Sequence, residues 1–299
     1  MTRIVSIGEC MIEMAPKDTD SSYQLGFGGD TFNTAWYLRK LLPDTDQIDY
    51  FTAVGCDPAS DQMVTFMENV GIGTAHIARR DGLIVGLYMI QLSEGERSFN
   101  YWRGQSAART LAQDAQPIRQ VLSGADVAYF SGITLAILPP EDRERLLEVL
   151  SNFRRDGGVV VFDPNLRMRL WPSAAEMTAN VMTAAAASDI VLPSFEDEAE
   201  WFGDANPEAT AQRYTNAGAS TVIVKNGPGE IIALQDGTMT THAPVMVDQI
   251  VDTTAAGDSF NAGFLANWTQ GRATDQSIDA ASALAAHVIQ YRGALVPVP

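Results

Sequence analysis

The stretch Asp252-Thr-Thr-Ala-Ala-Gly257-Asp258-Ser-Phe260 places a carboxylate directly behind a turn of small residues that can open a helix. Small residues leave the backbone N–H groups of the turn accessible, and the first N–H groups of a helix have no intrahelical partner, so an anion is favoured there. Asp258 then lies where it can take a proton from an attacking hydroxyl group. Taken alone, the pattern fits an ordinary acid in a first helical turn better, because the helix dipole favours an acid there.

The composition is that of a single globular enzyme. The chain has 299 residues, of which 46% are hydrophobic and 19% charged, so it can bury a large core. Its 37 acidic and 20 basic residues give a formal net charge of -17. That charge argues against a nucleic-acid or anionic-membrane surface, which needs a basic stripe. Since no linker or internal repeat divides the sequence, we expect one domain over residues 1–299.

The cysteines and the N-terminus indicate a cytoplasmic protein. Cys10 and Cys56 are too few for a disulfide framework, so we expect reduced thiols in the core. Glu9 comes too early for a signal-peptide core, and no uncharged apolar run reaches the ~20 residues of a membrane span. We therefore expect a soluble protein in a reducing compartment.

Short apolar runs alternate with amphipathic stretches, which predicts an α/β domain with a sheet covered by helices. The predicted strands are Ile4–Gly8, Tyr50–Val54, Val127–Phe130, Val159–Phe162, Ile190–Leu192 and Val222–Val224. The predicted helices are Thr31–Leu42, Asp61–Val70, Pro140–Arg155, Ala174–Ala187, Pro207–Ala217, Ala256–Trp268 and Asp275–Tyr291. One region breaks the rhythm, because Leu83–Trp102 reads as two strands joined by Ser93-Glu-Gly-Glu96. With Met11–Met14 and the segment near Tyr23, this hairpin predicts a small sheet outside the main one.

Several common sites are excluded by their missing motifs. The chain contains no Gly-x-x-x-x-Gly-Lys-Ser/Thr loop, no Gly-x-Gly-x-x-Gly after a strand and no protein-kinase signature. His76, His242 and His287 are scattered without metal-ligand spacing, which argues against a zinc site.

A second cluster of small residues, Gly26-Phe-Gly28-Gly29-Asp30-Thr-Phe-Asn33, precedes a helical pattern. Glycines let a polar ligand approach the backbone, and Asp30 and Asn33 can bind hydroxyl groups. The alternative is a tight turn in which Asp30 or Thr31 caps the helix.

Together the two clusters resemble the paired motifs of the ribokinase-like (PfkB) family of sugar kinases. The resemblance implies a three-layer α/β/α domain with a central, mostly parallel sheet, and a lid built from about residues 10–25 and 83–103. It implies that Asp258 is the general base and that Gly29, Asp30 and Asn33 contact the sugar. The anion hole would consist of the amides of Ala255, Ala256 and Gly257; the family commonly has glycine at the position of Ala255.

Two further segments, Tyr101-Trp102-Arg103 and Asp163-Pro-Asn165-Leu-Arg167, bear on the substrate. A sugar acid needs a cation, and a guanidinium matches a carboxylate; each arginine can instead be a surface residue, or Arg167 a phosphate clamp. The strings around Tyr88, at Gly95–Arg103, at Ser131–Ile137 and at Val288–Ala294 resemble the members of the family that phosphorylate 2-keto-3-deoxygluconate. That resemblance implies sugar-acid contacts from Tyr88, Tyr101, Arg103 and Arg167. Two alternatives stay open: a kinase for fructose or for 2-keto-3-deoxygalactonate, and a sugar-sensing protein without catalytic activity.

The remaining expectations concern the nucleotide and the partners. Lys225-Asn-Gly227-Pro-Gly229 follows a predicted strand and resembles the family segment that borders ATP, with Asn165 facing the phosphates. Ser194-Phe-Glu-Asp197 stands where the family has Asn-x-x-Glu, and Asp197 keeps a carboxylate for Mg²⁺. ATP and Mg²⁺ are therefore the expected cofactors. The apolar strands of the lid, including Tyr88–Leu92, predict a homo-oligomer because an uncovered sheet edge invites pairing.

Overall fold

The computed structural model describes residues 1–17, 22–93 and 96–299. At residues 92, 93, 96 and 97 it describes the backbone but not the side chains. Glu94 and Gly95 of the predicted hairpin turn, and residues 18–21 of the predicted lid, lie outside the described residues. In the described chain, no helix has the length and apolar character needed to cross a membrane.

The elements alternate along the chain as the apolar rhythm predicts. The strands are β1 Arg3–Ile7, β2 Met11–Pro16, β3 Tyr23–Gly28, β4 Gln47–Phe51, β5 Ala53–Gly55, β6 Ala78–Arg80, β7 Gly86–Ser93, β8 Glu96–Trp102, β9 Val127–Ser131, β10 Val159–Asp163, β11 Ile190–Val191, β12 Thr221–Val224, β13 Ile231–Gln235 and β14 Thr238–His242. The helices are α1 Asp30–Leu41, α2 Pro58–Asn69, α3 Ala115–Leu122, α4 Gly132–Ile137, α5 Pro140–Arg155, α6 Ala174–Ala186, α7 Phe195–Phe202, α8 Pro207–Ala217, α9 Ala256–Thr269 and α10 Thr274–Val288.

The main sheet has eight strands in the order β14-β13-β12-β11-β10-β9-β1-β4. Only the pairs β12–β13 and β13–β14 are antiparallel; the other pairs are parallel. Parallel strands are covered on both faces, so they read as continuous apolar runs, and every residue of β9 is buried. The loops that follow these parallel strands therefore gather at one edge of the sheet, where ligands bind in such folds.

Helices cover both faces of this sheet, which makes three layers with two separate cores. Alternate residues of β9 point to opposite faces, so Ala128 and Phe130 belong to one core and Val127 and Tyr129 to the other. Helices α3, α4, α5, α6 and α8 contribute to the first core, and α1, α2, α9 and α10 to the second. The predicted α/β/α fold class is confirmed.

The small sheet is also present, in the order β3-β2-β7-β8. Its strands β2 and β7 are parallel, and its other two pairs are antiparallel. Strand β7 is interior, and Tyr88 and Ile90 are buried, so the expectation of a free edge at Tyr88–Leu92 is wrong. The edges belong to β3 and β8 instead.

Two local predictions need correction, and α7 is one of the elements that were not predicted. The predicted strand Tyr50–Val54 is divided, because β4 ends in the main sheet while β5 leaves it to pair with β6. Cys10 is buried as expected, but Cys56 is exposed and does not belong to the core. Helix α7 was not predicted, because its first turn is a run of three acids that hides the apolar pattern. The helix dipole stabilises acids at that position.

Candidate active site

The turn before α9 brings backbone amides to the ligand edge of the sheet. Ala255 caps α9 in the left-handed conformation, with φ 58°. A Cβ in this conformation costs roughly 1–2 kcal/mol, which explains why glycine suits the position. The Ala256 amide donates to the carbonyl of Thr253 at 3.2 Å. In the part of the chain that the structure describes, the amides of Ala255 and Gly257 have no acceptor, so they are available to an anion.

Asp258 follows these amides in the first turn of α9 and is partly buried. Its Oδ2 accepts a hydrogen bond of 2.8 Å from the side-chain amide of Asn33. Desolvation by burial, followed by the charge of Asp30, raises the pKa of Asp258 well above its usual range, against the lowering effect of the Asn33 hydrogen bond. A carboxylate whose affinity for a proton is raised in this way suits a general base.

The glycine-rich cluster Gly26–Asn33 lies opposite Asp258. A Cβ on Gly29 would come 2.1 Å from the carbonyl oxygen of Glu9, so only glycine lets the two backbone segments approach. Asp30 accepts a hydrogen bond of 2.8 Å from the side chain of Asn165, which has φ 35°. Burial raises the pKa of Asp30 as well. Asn33 and Asn165 therefore each hold one of the two facing carboxylates, Asp258 and Asp30.

A buried network behind α9 was not predicted from the sequence. Asn261 donates to Asp163 at 2.8 Å and to the hydroxyl of Tyr129 at 3.0 Å, and it accepts from Lys225 Nζ at 2.9 Å. Lys225 also lies 3.5 Å from Asp163 Oδ1. The signal available in the sequence was the spacing, because Asn261 follows Asp258 by three positions and so shares its face of α9.

The small sheet contributes an aromatic wall with one arginine. The rings of Tyr88 and Tyr101 stack with centroids 5.9 Å apart. The hydroxyl of Tyr88 donates to Glu13, which anchors the wall in β2. Arg103 is 9% exposed and donates through Nη2 to the buried carboxylate of Glu9. Glu9 is a site residue that the sequence motifs did not reveal.

Two more arginines come from the segment after β10. Arg167 donates to Asp197 at 3.2 Å, which links this segment to the start of α7. Burial raises the pKa of Asp197, and the neighbouring Arg167 opposes that effect. Arg169, which was not predicted, lies with its Cζ 4.1 Å from the centroid of the Tyr101 ring.

These side chains line two adjoining cavities of about 500 and 780 Å³ that share Arg167, Ser194, Lys225, Thr253, Ala256 and Gly257. The predicted residues in the wall of the smaller cavity are Gly29, Asp30, Asn33, Tyr88, Tyr101, Arg103, Asn165, Arg167, Ser194, Lys225, Ala255, Ala256, Gly257 and Asp258. Asp197 and Gly227 line the larger, mostly apolar cavity, together with Val245, Met246 and Ile250. Gly229 lines neither cavity; it packs against Asn226 in the turn. Ala256 and Gly257 thus lie at the junction of the two cavities, and Asp258 follows them in the wall of the smaller one.

The sequence is similar to known carbohydrate kinases over its whole length. The sequence model of the pfkB family carbohydrate kinases matches residues 1–299. The 2-dehydro-3-deoxygluconokinase of Dickeya dadantii (strain 3937) is 40% identical over 98% of this chain and 96% of its own length. The 2-dehydro-3-deoxygluconokinase of Escherichia coli (strain K12) is 38% identical over 99% and 97%.

Solved structures show the same fold at lower identity. A PfkB protein from Polaromonas sp. JS666 superposes with a TM-score of 0.86 at 22% identity, covering 97% of this chain and 96% of its own. The 2-dehydro-3-deoxygluconokinase of Thermotoga maritima has a TM-score of 0.84 at 23% identity, covering 100% and 97%. A Xylella fastidiosa fructokinase with bound ATP has a TM-score of 0.85 at 22% identity, covering 98% and 94%.

Proposed function

The chain belongs to the pfkB family of carbohydrate kinases, and we propose that it phosphorylates 2-keto-3-deoxygluconate at the 6-hydroxyl with ATP. The observation that carries the proposal is the position of Asp258, a carboxylate with a raised pKa in the wall of the smaller cavity, directly after Gly257, which lines both cavities and whose amide has no acceptor among the described residues. The relatives that match nearly the whole chain at 38–40% identity carry the name 2-dehydro-3-deoxygluconokinase, which supports this substrate. The products are ADP and 2-keto-3-deoxy-6-phosphogluconate.

In the proposed reaction Asp258 accepts the proton of the 6-hydroxyl as that oxygen forms a bond to the γ-phosphorus. The bond between the γ-phosphorus and the bridging oxygen of ADP breaks. The amides of Ala255 and Gly257, at the positive end of α9, stabilise the charge on the transferring group. Since little covalent chemistry falls to the protein, positioning and electrostatic stabilisation supply most of the acceleration.

The sugar acid occupies the smaller cavity in this proposal. Gly29 and Asp30 bind its hydroxyl groups, and the wall of Tyr88 and Tyr101 covers its carbon chain. Arg103 and Arg167 donate hydrogen bonds to the carboxylate end. Asn33 acts mainly through Asp258, whose carboxylate it orients. Replacing Arg103 with Ala is expected to raise the KM for the acid, whereas an unchanged KM would remove this residue from the carboxylate site.

ATP occupies the larger cavity. Its apolar wall of Val245, Met246 and Ile250 suits a nucleobase, and Gly227 allows close approach of the backbone. Lys225 and Ser194 line both cavities, so they are suited to the phosphates that must reach Asp258. Asn165, held against Asp30, contributes its remaining polar atoms at the same junction.

The residues at this junction fit Mg²⁺. Across the described residues, no group of three or more His, Cys, Asp or Glu side chains is arranged to hold a metal. Mg²⁺ usually needs only one or two carboxylates, with phosphate oxygens and waters as its other ligands, and Asp197 in the wall of the larger cavity can supply one. When bound, Mg²⁺ neutralises negative charge on the phosphates.

The small sheet is proposed to act as a lid, because its aromatic wall covers the smaller cavity; closing it over the sugar would exclude water. We also propose a homo-oligomer formed through this sheet. Its edge strands β3 and β8 carry the exposed Leu25 and Trp102, at 55% and 57% exposure, and an uncovered apolar edge favours pairing. The molar mass of the protein, measured by light scattering after size-exclusion chromatography, tests this proposal. The mass of a monomer at micromolar concentration would contradict it.

The experiment that tests the function is release of ADP from MgATP with a panel of acceptors. The panel contains 2-keto-3-deoxygluconate, 2-keto-3-deoxygalactonate, fructose, ribose and gluconate. Selective turnover of the deoxy keto acids supports the proposal. A preference for fructose or ribose keeps Asp258 as base and rejects the carboxylate site, and absence of turnover with every acceptor leaves a sugar sensor.

A further inference from the structure

The cationic side chains in the wall of the smaller cavity differ in whether they form an ion pair within the protein. Three of the four have an internal carboxylate within 4.0 Å, in the pairs Arg103 with Glu9, Arg167 with Asp197 and Lys225 with Asp163. The fourth, Arg169, has no carboxylate within that distance among the residues that the structure describes. Arg169 is therefore the cation of this wall that forms no ion pair with the described protein.

Arg169 is exposed, and its guanidinium is placed where a ligand in the cavity can reach it. It belongs to the short turn Met168–Leu170, and its guanidinium lies over the face of Tyr101, 4.1 Å from the ring centroid. Such stacking uses the flat face of the guanidinium, so the N–H groups in its plane stay available as donors. Tyr101 is itself fixed, because its ring stacks on those of Tyr88 and Phe99.

We propose that Arg169 supplies the charge that selects a carboxylate-bearing sugar over a neutral one. This inference rests on the proposed function and adds a residue that the sequence motifs did not single out. Arg103 and Arg167 still donate hydrogen bonds, but each belongs to an ion pair that is formally neutral. A nearby carboxylate offsets part of the attraction that a guanidinium exerts on a second carboxylate, so an arginine without an ion pair distinguishes a carboxylate from a hydroxyl better.

The test compares 2-keto-3-deoxygluconate with its methyl ester, which keeps the hydroxyl groups and loses the charge. For Arg169→Gln we expect the KM for the acid to rise about 10- to 100-fold, the range for a hydrogen bond to a charged group. The KM for the ester, the KM for ATP and kcat are expected to change by less than about 3-fold. Arg169→Lys keeps the charge and is expected to recover part of the discrimination.

Arg272→Gln is the matched control, because Arg272 is exposed in the turn before α10, away from both cavities. Equal increases in KM for acid and ester would overturn the inference, since they would show that Arg169 only positions Tyr101. An unchanged KM for the acid would overturn it as well.

The failure of this inference can be told apart from failure of the proposed function. If the wild-type protein turns over no sugar acid, calorimetric titration measures binding of the acid to the wild type and to Arg169→Gln directly. Binding that weakens about 10-fold or more in the variant supports the charge-selecting role without catalysis. Equal affinities, or no binding to either protein, overturn it.

Discussion

The side-chain amide of Asn33 donates a 2.8 Å hydrogen bond to the carboxylate of Asp258, across 225 positions of sequence. This bond joins the start of α1 to the start of α9. It opposes the effects that raise the pKa of Asp258, of which burial is the largest, followed by the charges of Asp30 and Asp163. The proton affinity of the proposed base is thus a balance that single substitutions can shift.

Replacing Asn33 with Ala removes the contact that lowers the pKa of Asp258. We expect the acid limb of the pH profile of kcat/KM to move up by about one pH unit, since a hydrogen bond to a charged group contributes about 1.5 kcal/mol. The loss of activity should accordingly be larger at pH 6 than at pH 9. Asn69→Ala, on the exposed end of α2, serves as the control. An acid limb that stays in place would contradict the assignment.

Replacing Asp258 with Asn removes the proposed base. The kcat should fall about 10²- to 10⁴-fold, the usual contribution of general base catalysis, while ATP binding measured by calorimetry is retained. Asp279→Asn, an exposed acid on α10, should leave kcat unchanged. Wild-type turnover in the Asp258 variant would reject the mechanism.

The same variant should be more stable than the wild type at pH 8. Because the folded state raises the pKa of Asp258, the stability that this group contributes is present at low pH and is lost as pH rises. Asn carries no charge at any pH, so the difference in free energy of unfolding should narrow from pH 8 to pH 5. Urea unfolding at the two pH values measures it, and a gap that widens toward pH 5 contradicts the raised pKa.

Replacing Ala255 with Gly should stabilise the protein slightly. Glycine relieves the left-handed strain of roughly 1–2 kcal/mol, but it also gives the unfolded chain more freedom, which costs about 0.4–1 kcal/mol. We expect a net gain of up to about 1 kcal/mol in the free energy of unfolding. Ala262→Gly, inside α9, is the contrast and should destabilise. A loss of stability in the Ala255 variant would argue against the left-handed conformation.

Replacing Lys225 with Met leaves the buried Asp163 without its cation. Breaking one partner of a buried ion pair costs about 3–5 kcal/mol, and we expect a loss of that order in urea unfolding, together with a higher KM for ATP. The double variant with Asp163→Asn should recover much of the stability but not the KM for ATP. Recovery of both would show that Lys225 acts only through the fold.

Local sequence patterns were enough to predict much of the fold. Alternating apolar runs predicted β1, β9, β10, β11 and β12 because strands buried on both faces must be apolar throughout. The division between β4 and β5 escaped prediction, since both are apolar and only their partner strands differ. Helix α7 escaped as well, because its acids are placed by the helix dipole and not by burial.

For the site, local sequence was enough to place Asp258 and the glycine-rich cluster at the starts of their helices, because small residues and caps act within a few positions. The three-dimensional arrangement was needed to show that Asn33 reaches Asp258 and that Glu9 pairs with Arg103, and that Arg169 forms no ion pair within the described residues. These contacts depend on the order of strands in the sheet and on the small sheet's position. Distances and charge balance between segments far apart in sequence leave no local pattern that could reveal them.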